Sequence, residues 1–175
     1  LPHSEFVGVE LSAPQVAIGQ AVIEALGLGN IRLDVGDILE LDPAQLGQFD
    51  YIIAHGVYSW VPTAVREKIL ALARDCLTPN GIAYISYNVL PGWRMRGSVR
   101  DLLLYATRDA QGADAKYHAA IAALQRLQHA LQDAQADSHR YVQKEIGYLL
   151  KAHPSYLLHE YLAGENNAFL FSEFL

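Results

Sequence analysis

Short apolar runs alternate with helical apolar stripes through the first half of the chain. Strand-type runs occur at Phe6–Val9, Ile31–Val35, Tyr51–Ala54 and Ile82–Tyr87. Apolar residues at helical spacing predict one helix after Ser12 and another that begins at Pro62 or Thr63. Strands that alternate with helices at this rhythm predict an α/β fold with a mainly parallel sheet.

The sequence around the first helix contains signals for its start and its end. Ser12 and Gln15 have the spacing of a capping box, and Pro14 suits a first helical turn. Gly27 and Gly29 are expected to end the helix. The apolar stripe of this helix comprises Val16, Val22, Ile23 and Leu26. Farther on, the residues from Thr78 to Gly81 predict a turn before the last strand.

Beyond Pro91-Gly92-Trp93 the pattern becomes helical. Helices are predicted from Val99 to Arg108, from Asp114 to about Asp133, and from Ser138 onward. The chain is therefore expected to consist of an α/β half followed by a helical subdomain.

Composition narrows the class of protein. The chain has 175 residues, of which 51% are hydrophobic and 18% charged, and this fits a globular domain with one sizeable core. The net charge of −6 argues against a nucleic-acid partner, which normally requires a basic face. No apolar run approaches the roughly 20 residues that span a bilayer. With a single cysteine, Cys76, in an apolar helical run, we expect a reducing, cytoplasmic environment and no membrane partner.

Polar residues follow the predicted strands. Glu10, Asp37, His55 and the Tyr87-Asn88 pair occupy these positions, and ligands of open parallel sheets bind beyond the carboxyl ends of strands. A carboxylate such as that of Glu10 can accept hydrogen bonds from both hydroxyls of a ribose, although an exposed acid is the alternative. Asp37 could accept from the exocyclic amine of adenine, or it could begin a turn.

Four segments, in this order, resemble the class I S-adenosylmethionine-dependent methyltransferases. They are "FVGVELSAPQVAIGQA", "IRLDVGDIL", "FDYIIAHGVYSWVP" and "LARDCLTPNGIAYIS", which are similar to the second to fifth strands of that Rossmann-like fold with their neighbouring turns and helices. The resemblance implies S-adenosyl-L-methionine as cofactor and a small molecule or a protein as methyl acceptor.

Later segments resemble bacterial methyltransferases in which a methyltransferase regulatory domain follows the catalytic domain. These segments are "NVLPGWRMRGSVRDLLLY" and "HEYLAGENNAFLFSEF". The resemblance implies a methyltransferase core over residues 1–93, a helical subdomain over 94–157 and, over 158–175, the start of the joint to an absent regulatory domain. The family's first strand and glycine-rich motif would lie before residue 1. We therefore expect a fragment whose sheet is loose or is completed in a homodimer.

The resemblance also assigns roles to individual residues. It implies that the cofactor is bound by Glu10, Asp37, Ile38, His55 and Gly56. It implies that the substrate pocket contains Tyr58, Trp60, Tyr87, Asn88 and Trp93. His55 is the candidate general base, because an imidazole titrates near neutral pH, or it holds its loop in place. Trp60 is either an anchor of the loop or a substrate contact.

Two other classes of function stay open on the sequence. Glu10 would serve an NAD-type oxidoreductase equally well, although no hydride-site pattern of the Ser/Tyr-x-x-x-Lys type is visible. A non-catalytic interaction module, whose helical half (residues 114–152) docks on the regulatory domain, is the second alternative. Since the histidines form no i, i+4 pair and have no cysteine partner, no metal site is predicted.

Overall fold

The chain divides into two compact units in a computed structural model that describes residues 1–175. The first unit spans Leu1–Ser86 and the second spans Tyr87–Leu175. The boundary that the sequence predicts after residue 93 falls inside a helix, because the helical backbone already begins at Gly92.

The first unit alternates strands with helices, as the sequence predicts. Its strands are β1 (Phe6–Glu10), β2 (Ile31–Val35), β3 (Phe49–Ala54) and β4 (Leu77–Ile85). Its helices are α1 (Ala13–Ala25), α2 (Pro43–Leu46) and α3 (Thr63–Cys76), with 3₁₀ turns at Ile38–Glu40 and Tyr58–Trp60.

The strands of this unit pair in parallel but do not form one continuous sheet. β1 pairs with β2, and Glu10 lies opposite Val35 at the carboxyl end of the pair. β3 pairs with β4, and Ala54 lies opposite Ile85. Each pair is a separate two-stranded sheet, so one edge of β1 and one edge of β3 carry no ladder of backbone hydrogen bonds. The parallel pairing is confirmed, whereas a single sheet is not present.

The segment predicted as a turn between Thr78 and Gly81 interrupts the pairing with β3 but does not end the strand. β4 runs from Leu77 through this segment to Ile85. Leu77 pairs with Phe49 and Ile82 with Tyr51, so the intervening residues form a bulge in β4. A Cβ atom at Gly81 would lie 3.1 Å from the backbone oxygen of Phe49. The close approach of the β3 backbone therefore requires glycine at position 81.

The start of α1 differs from the predicted capping box. Ser12 occupies the N-cap position, but its side chain makes no capping hydrogen bond. The backbone N–H of Ser12 instead donates to Glu10 Oε1 at 2.9 Å, so Glu10 takes the part that Gln15 would play in a capping box. The predicted apolar stripe is also mostly uncovered: Val16 is buried, whereas Val22 is 52% exposed and Leu26 is 65% exposed.

The helix predicted after Pro62 is confirmed as α3, and its apolar stripe packs inward. Ile69, Leu72 and Cys76 are buried, and Cys76 is only 1% exposed.

Burial raises the pKa of the Cys76 thiol. Because the thiolate is the reactive form, we expect native protein to react slowly with a thiol reagent such as dithionitrobenzoate, and unfolded protein to release one equivalent of chromophore rapidly. Fast reaction in the native state would contradict this packing.

The second unit is mainly helical. Its longer helices are α4 (Gly92–Thr107), α5 (Ala113–Leu131) and α6 (Asp137–Leu149). Short elements follow: α7 (Pro154–Tyr156), a π-helical segment (Leu157–Tyr161) and α8 (Phe171–Phe174). The buried core comprises Val99, Leu103, Ala120, Ala123, Leu124, Ile146, Leu149, Leu157, Tyr161 and Leu162. No helix of the chain combines the length and the apolar character that crossing a membrane requires.

A short parallel pair connects the two ends of the second unit. β5 (Asn88–Val89) pairs with β6 (Ala168–Phe169). Nearby, the guanidinium of Arg100 donates from Nη2 to the backbone oxygens of Ala163 and Gly164. These contacts fix the segment that follows the π-helical residues against the start of the unit.

Candidate active site

The carboxyl end of the β1–β2 pair carries two carboxylates. Glu10 is the last residue of β1, and the N–H of Gly36 donates to its backbone oxygen at 3.1 Å. One carboxylate oxygen of Glu10 accepts from Ser12, and the other makes no hydrogen bond with the protein. Asp37 precedes the 3₁₀ turn that starts at Ile38, and its Oδ1 accepts the N–H of Leu39 at 2.9 Å. Glu10, Asp37 and Ile38 therefore lie at one end of one strand pair.

The carboxyl end of the β3–β4 pair carries the His55-Gly56 turn. The N–H of Ser86 donates to the backbone oxygen of Ala54 at 3.1 Å and extends the ladder by one bond. The N–H of Gly56 donates to Ser86 Oγ at 2.7 Å. The imidazole of His55 stacks on Tyr84, with ring centroids 5.7 Å apart and an interplanar angle of 23°. His55 itself stays exposed to solvent.

The 3₁₀ turn after β3 contains two predicted pocket residues. Tyr58 is buried at 8% exposure, and Trp60 is half-buried. The guanidinium of Arg66 donates to the backbone oxygen of Val61 and to Thr63 Oγ1, each at 2.7 Å, which fixes the turn against α3. Burial of Tyr58 is typical of an anchor for this turn. The assignment of Tyr58 and Trp60 to the substrate pocket stays a prediction.

Tyr87 and Asn88 belong to the second unit and contact its closing segment. The Tyr87 ring stacks on Phe174 with centroids 4.3 Å apart and meets Phe169 edge-on at 6.2 Å. Asn88 Nδ2 donates to Asn166 Oδ1 at 3.0 Å. Both residues stabilise the fold of this unit, and their predicted contact with substrate stays a prediction.

Trp93, on α4, lies in a cluster of aromatic and charged residues in the second unit. Its ring centroid is 6.2 Å from that of Tyr161, and the guanidinium of Arg96 lies 5.7 Å from the Trp93 ring. The hydroxyl of Tyr161 donates to Glu145 Oε1, and Arg96 Nε approaches the same oxygen at 3.6 Å. Glu145 on α6 is buried, and one hydrogen bond from Tyr161 together with the positive charge of Arg96 compensates the cost of burying its carboxylate.

Two tyrosines near this cluster resist ionisation. Burial, together with the hydrogen bond to Glu145, raises the pKa of Tyr161 far above its ordinary value. Burial, together with a hydrogen bond to Tyr148, raises the pKa of Tyr156 to about 12. Both hydroxyls are therefore protonated at neutral pH and act as hydrogen-bonding groups.

The predicted residues therefore fall into three groups. Glu10, Asp37 and Ile38 share one strand-pair end, and His55 and Gly56 share the other. The remaining group comprises the pocket residues described above, of which Tyr87, Asn88 and Trp93 lie in the second unit.

Sequence reasoning missed Tyr84 and Ser86, which hold the His55-Gly56 turn. The signal for Ser86 was a hydroxyl directly after the apolar run of β4. The sequence also contains Gly27-Leu28-Gly29, but this Gly-x-Gly lies between the end of α1 and the start of β2. It is at the amino end of the strands, opposite Glu10 and Asp37.

A parallel α/β unit with carboxylates at its strand ends is the architecture of the methyltransferases named above, and comparison with known sequences agrees. Residues 1–81 match the family described as "Methyltransferase domain". The chain belongs to this family.

Three relatives extend along almost the whole chain. Uncharacterized protein RP028 of Rickettsia prowazekii (strain Madrid E) is 36% identical over 174 residues, which cover 99% of this chain and 69% of the relative. Uncharacterized protein RP789 of the same organism is 39% identical, with coverage of 99% and 31%. Uncharacterized protein sll1526 of Synechocystis sp. is 28% identical, with coverage of 98% and 34%. The chain thus spans about two thirds of the first relative and about a third of the other two.

Solved structures show the same fold. PKMT2 from Rickettsia typhi is 35% identical and aligns with a TM-score of 0.84, covering 99% of this chain and 32% of that protein. The structure of PKMT2 in complex with AdoHcy aligns with a TM-score of 0.85 at the same identity, covering 99% and 33%. The predicted α/β fold is confirmed as methyltransferase-like.

Proposed function

We propose that this chain is part of an S-adenosyl-L-methionine-dependent methyltransferase and supplies the adenosine-binding side of its cofactor site. The observation that carries the proposal is the alignment of 99% of the chain with PKMT2, which was solved in complex with AdoHcy. AdoHcy is S-adenosylhomocysteine, which S-adenosyl-L-methionine becomes when it loses its methyl group. The methyl acceptor is a small molecule or a protein, and we propose a cytoplasmic location.

The groups at the β1–β2 end fit an adenosine. Both ribose hydroxyls are donors, and Glu10 offers one free carboxylate oxygen as well as a second lone pair on Oε1. Asp37 retains one carboxylate oxygen besides the one that accepts from Leu39, and this oxygen suits the exocyclic amine of adenine. Ile38, directly after Asp37, supplies an apolar contact for the purine face.

The groups at the β3–β4 end fit the reacting part of the site. The cofactor would supply a methyl group on a sulfonium, which is transferred by direct displacement. Alignment of donor and acceptor and exclusion of water are then the main tasks of the protein. His55 is exposed and directed by Tyr84, so it can line this site and accept a proton where the acceptor must lose one.

We further propose that the two strand pairs belong to one sheet whose middle strand and glycine-rich loop come from residues outside 1–175. β1 and β3 each have an unpaired edge, and Tyr51, Ile53, Ile82 and Tyr84 leave one face of the β3–β4 pair largely exposed. Unpaired edges and exposed apolar faces are normally covered in native proteins. PKMT2 is about three times as long as this chain and has room for such a strand. A C-terminal regulatory domain is proposed on the resemblance stated above.

Replacing Glu10 by alanine tests the cofactor site. In calorimetric titrations of the full-length natural polypeptide, we expect Glu10→Ala to weaken S-adenosylhomocysteine binding at least about tenfold, since charge-assisted hydrogen bonds to the ribose are lost. Glu5→Ala is the matched control, because Glu5 precedes the amino end of β1. Its affinity should equal that of the unchanged protein.

The same titrations separate the alternatives. Binding of NAD in place of S-adenosylhomocysteine would support an oxidoreductase, and no binding of either would support an interaction module. The titration is repeated on residues 1–175 alone. Weaker binding there than in the full-length polypeptide is expected if a further strand completes the sheet. Equal binding, with a doubled particle mass, would instead favour completion by a homodimer.

A further inference from the structure

The turn that carries His55 is held by a side chain that directly follows the neighbouring strand, β4. In a regular parallel pair, a backbone oxygen would accept the N–H that follows the end of β3. Here Ser86 Oγ accepts the N–H of Gly56 at 2.7 Å. The backbone of Ser86 itself continues the ladder to Ala54. Ser86 therefore joins the ends of β3 and β4 through both its backbone and its hydroxyl.

The conformation of Gly56 makes this hydrogen bond consequential. Its φ is +69°, a left-handed conformation that glycine adopts without steric cost. No atom lies within 4 Å of a Cβ built at Gly56, so conformation, and not lack of space, requires glycine there. Because the glycine backbone is flexible, the turn keeps one conformation only if another group holds it, and the hydroxyl of Ser86 is that group.

His55 is fixed from two sides as a result. Its backbone lies between Ala54, at the end of the ladder, and Gly56, bound to Ser86. Its ring lies against Tyr84, which is on β4 two residues before Ser86. Yet the imidazole is exposed, so it is oriented without being covered. Orientation with open access is the property expected of a group that contacts a ligand.

We propose that Ser86 is a positioning residue that sets the direction of the His55-Gly56 turn for cofactor and acceptor. The inference rests on the proposed function for the identity of the ligand, S-adenosyl-L-methionine. The geometry of the His55-Gly56 turn does not depend on the proposed function. Ser86 acts through Gly56, and Tyr84 orients the imidazole of His55.

Ser86→Ala tests this role in the full-length polypeptide. We expect S-adenosylhomocysteine to bind about fivefold more weakly, the loss that corresponds to one ordinary hydrogen bond. We also expect the ring signals of His55 in NMR spectra to shift and the amide proton of Gly56 to exchange faster. Ser86→Thr keeps the hydroxyl and should restore all three readouts. Ser4→Ala, at the opposite end of the strands, is the control.

The outcomes distinguish this inference from the proposed function. Unchanged affinity, His55 signals and Gly56 exchange in Ser86→Ala would overturn the positioning role. If the unchanged protein does not bind S-adenosylhomocysteine, the proposed function fails, and the NMR readouts alone decide the role of Ser86. If Ser86→Ala does not fold, Ser86→Cys replaces it, because a thiol of similar size is a much weaker acceptor.

Discussion

Tyr161→Ala is expected to lower the free energy of unfolding of the second unit by about 3–5 kcal/mol. Tyr161 is the largest fully buried side chain of the chain, and its hydroxyl donates to the buried carboxylate of Glu145. The substitution leaves a cavity in the core and removes a donor from a buried charge, and both effects destabilise. Urea unfolding followed by far-ultraviolet circular dichroism measures the change.

Tyr161→Phe separates the two effects, because it keeps the ring and removes only the hydroxyl. We expect a loss of about 1–3 kcal/mol, because the buried carboxylate of Glu145 then keeps its ion pair with Arg96 but accepts no hydrogen bond. Lys144→Ala, an exposed neighbour of Glu145 on α6, is the control and should change stability by less than about 0.5 kcal/mol. A Tyr161→Phe protein as stable as the unchanged one would show that the hydroxyl contributes nothing to the cluster.

Alkaline pH is expected to destabilise the second unit. Burial raises the pKa of Tyr156 to about 12 and the pKa of Tyr161 in the same direction, whereas an unfolded tyrosine titrates near 10. Above about pH 10 the unfolded chain therefore loses protons that the folded chain keeps. The stability that both groups contribute is complete below about pH 10; the contribution of Tyr156 is lost as pH rises through about 12, and that of Tyr161 is lost at still higher pH.

Urea titrations between pH 8 and pH 12 measure this dependence. In the Tyr156→Phe/Tyr161→Phe double variant, neither position can ionise, so stability should fall less steeply over the same range. Tyr105→Phe, at an exposed tyrosine of α4, should keep the steep fall of the unchanged protein. Equal slopes in all three proteins would contradict the assignment to these two buried hydroxyls.

Local sequence patterns predicted the elements of the first unit well. Apolar runs located four strands, and helical spacing located α1 and α3 because their backbone preferences are local. Glu10 and Asp37 could be placed at strand ends for the same reason. The parallel connection brings such ends together whatever the details of packing.

Contacts between distant residues could not be predicted in this way. The local sequence around Gly81 is typical of a turn, but it does not reveal that this segment lies in a bulge of β4 close to the backbone of Phe49. Glu145 looks like an ordinary surface charge of an amphipathic helix until Tyr161, 16 residues later, reaches its carboxylate. The exposure of α1 likewise depends on which elements pack against it, and the spacing of apolar residues does not specify this.

The β5–β6 pair has a consequence for how the second unit can be connected to other chains. Asn88 and Val89 lie beside Ala168 and Phe169, and Tyr87 stacks on Phe174, so residues near the start of the unit are adjacent to residues near its end. A compact unit whose entry and exit points are adjacent can be inserted into a surface loop of another domain without stretching the host. If it is inserted into another domain at this strand pair, we expect the helical unit to keep its own fold.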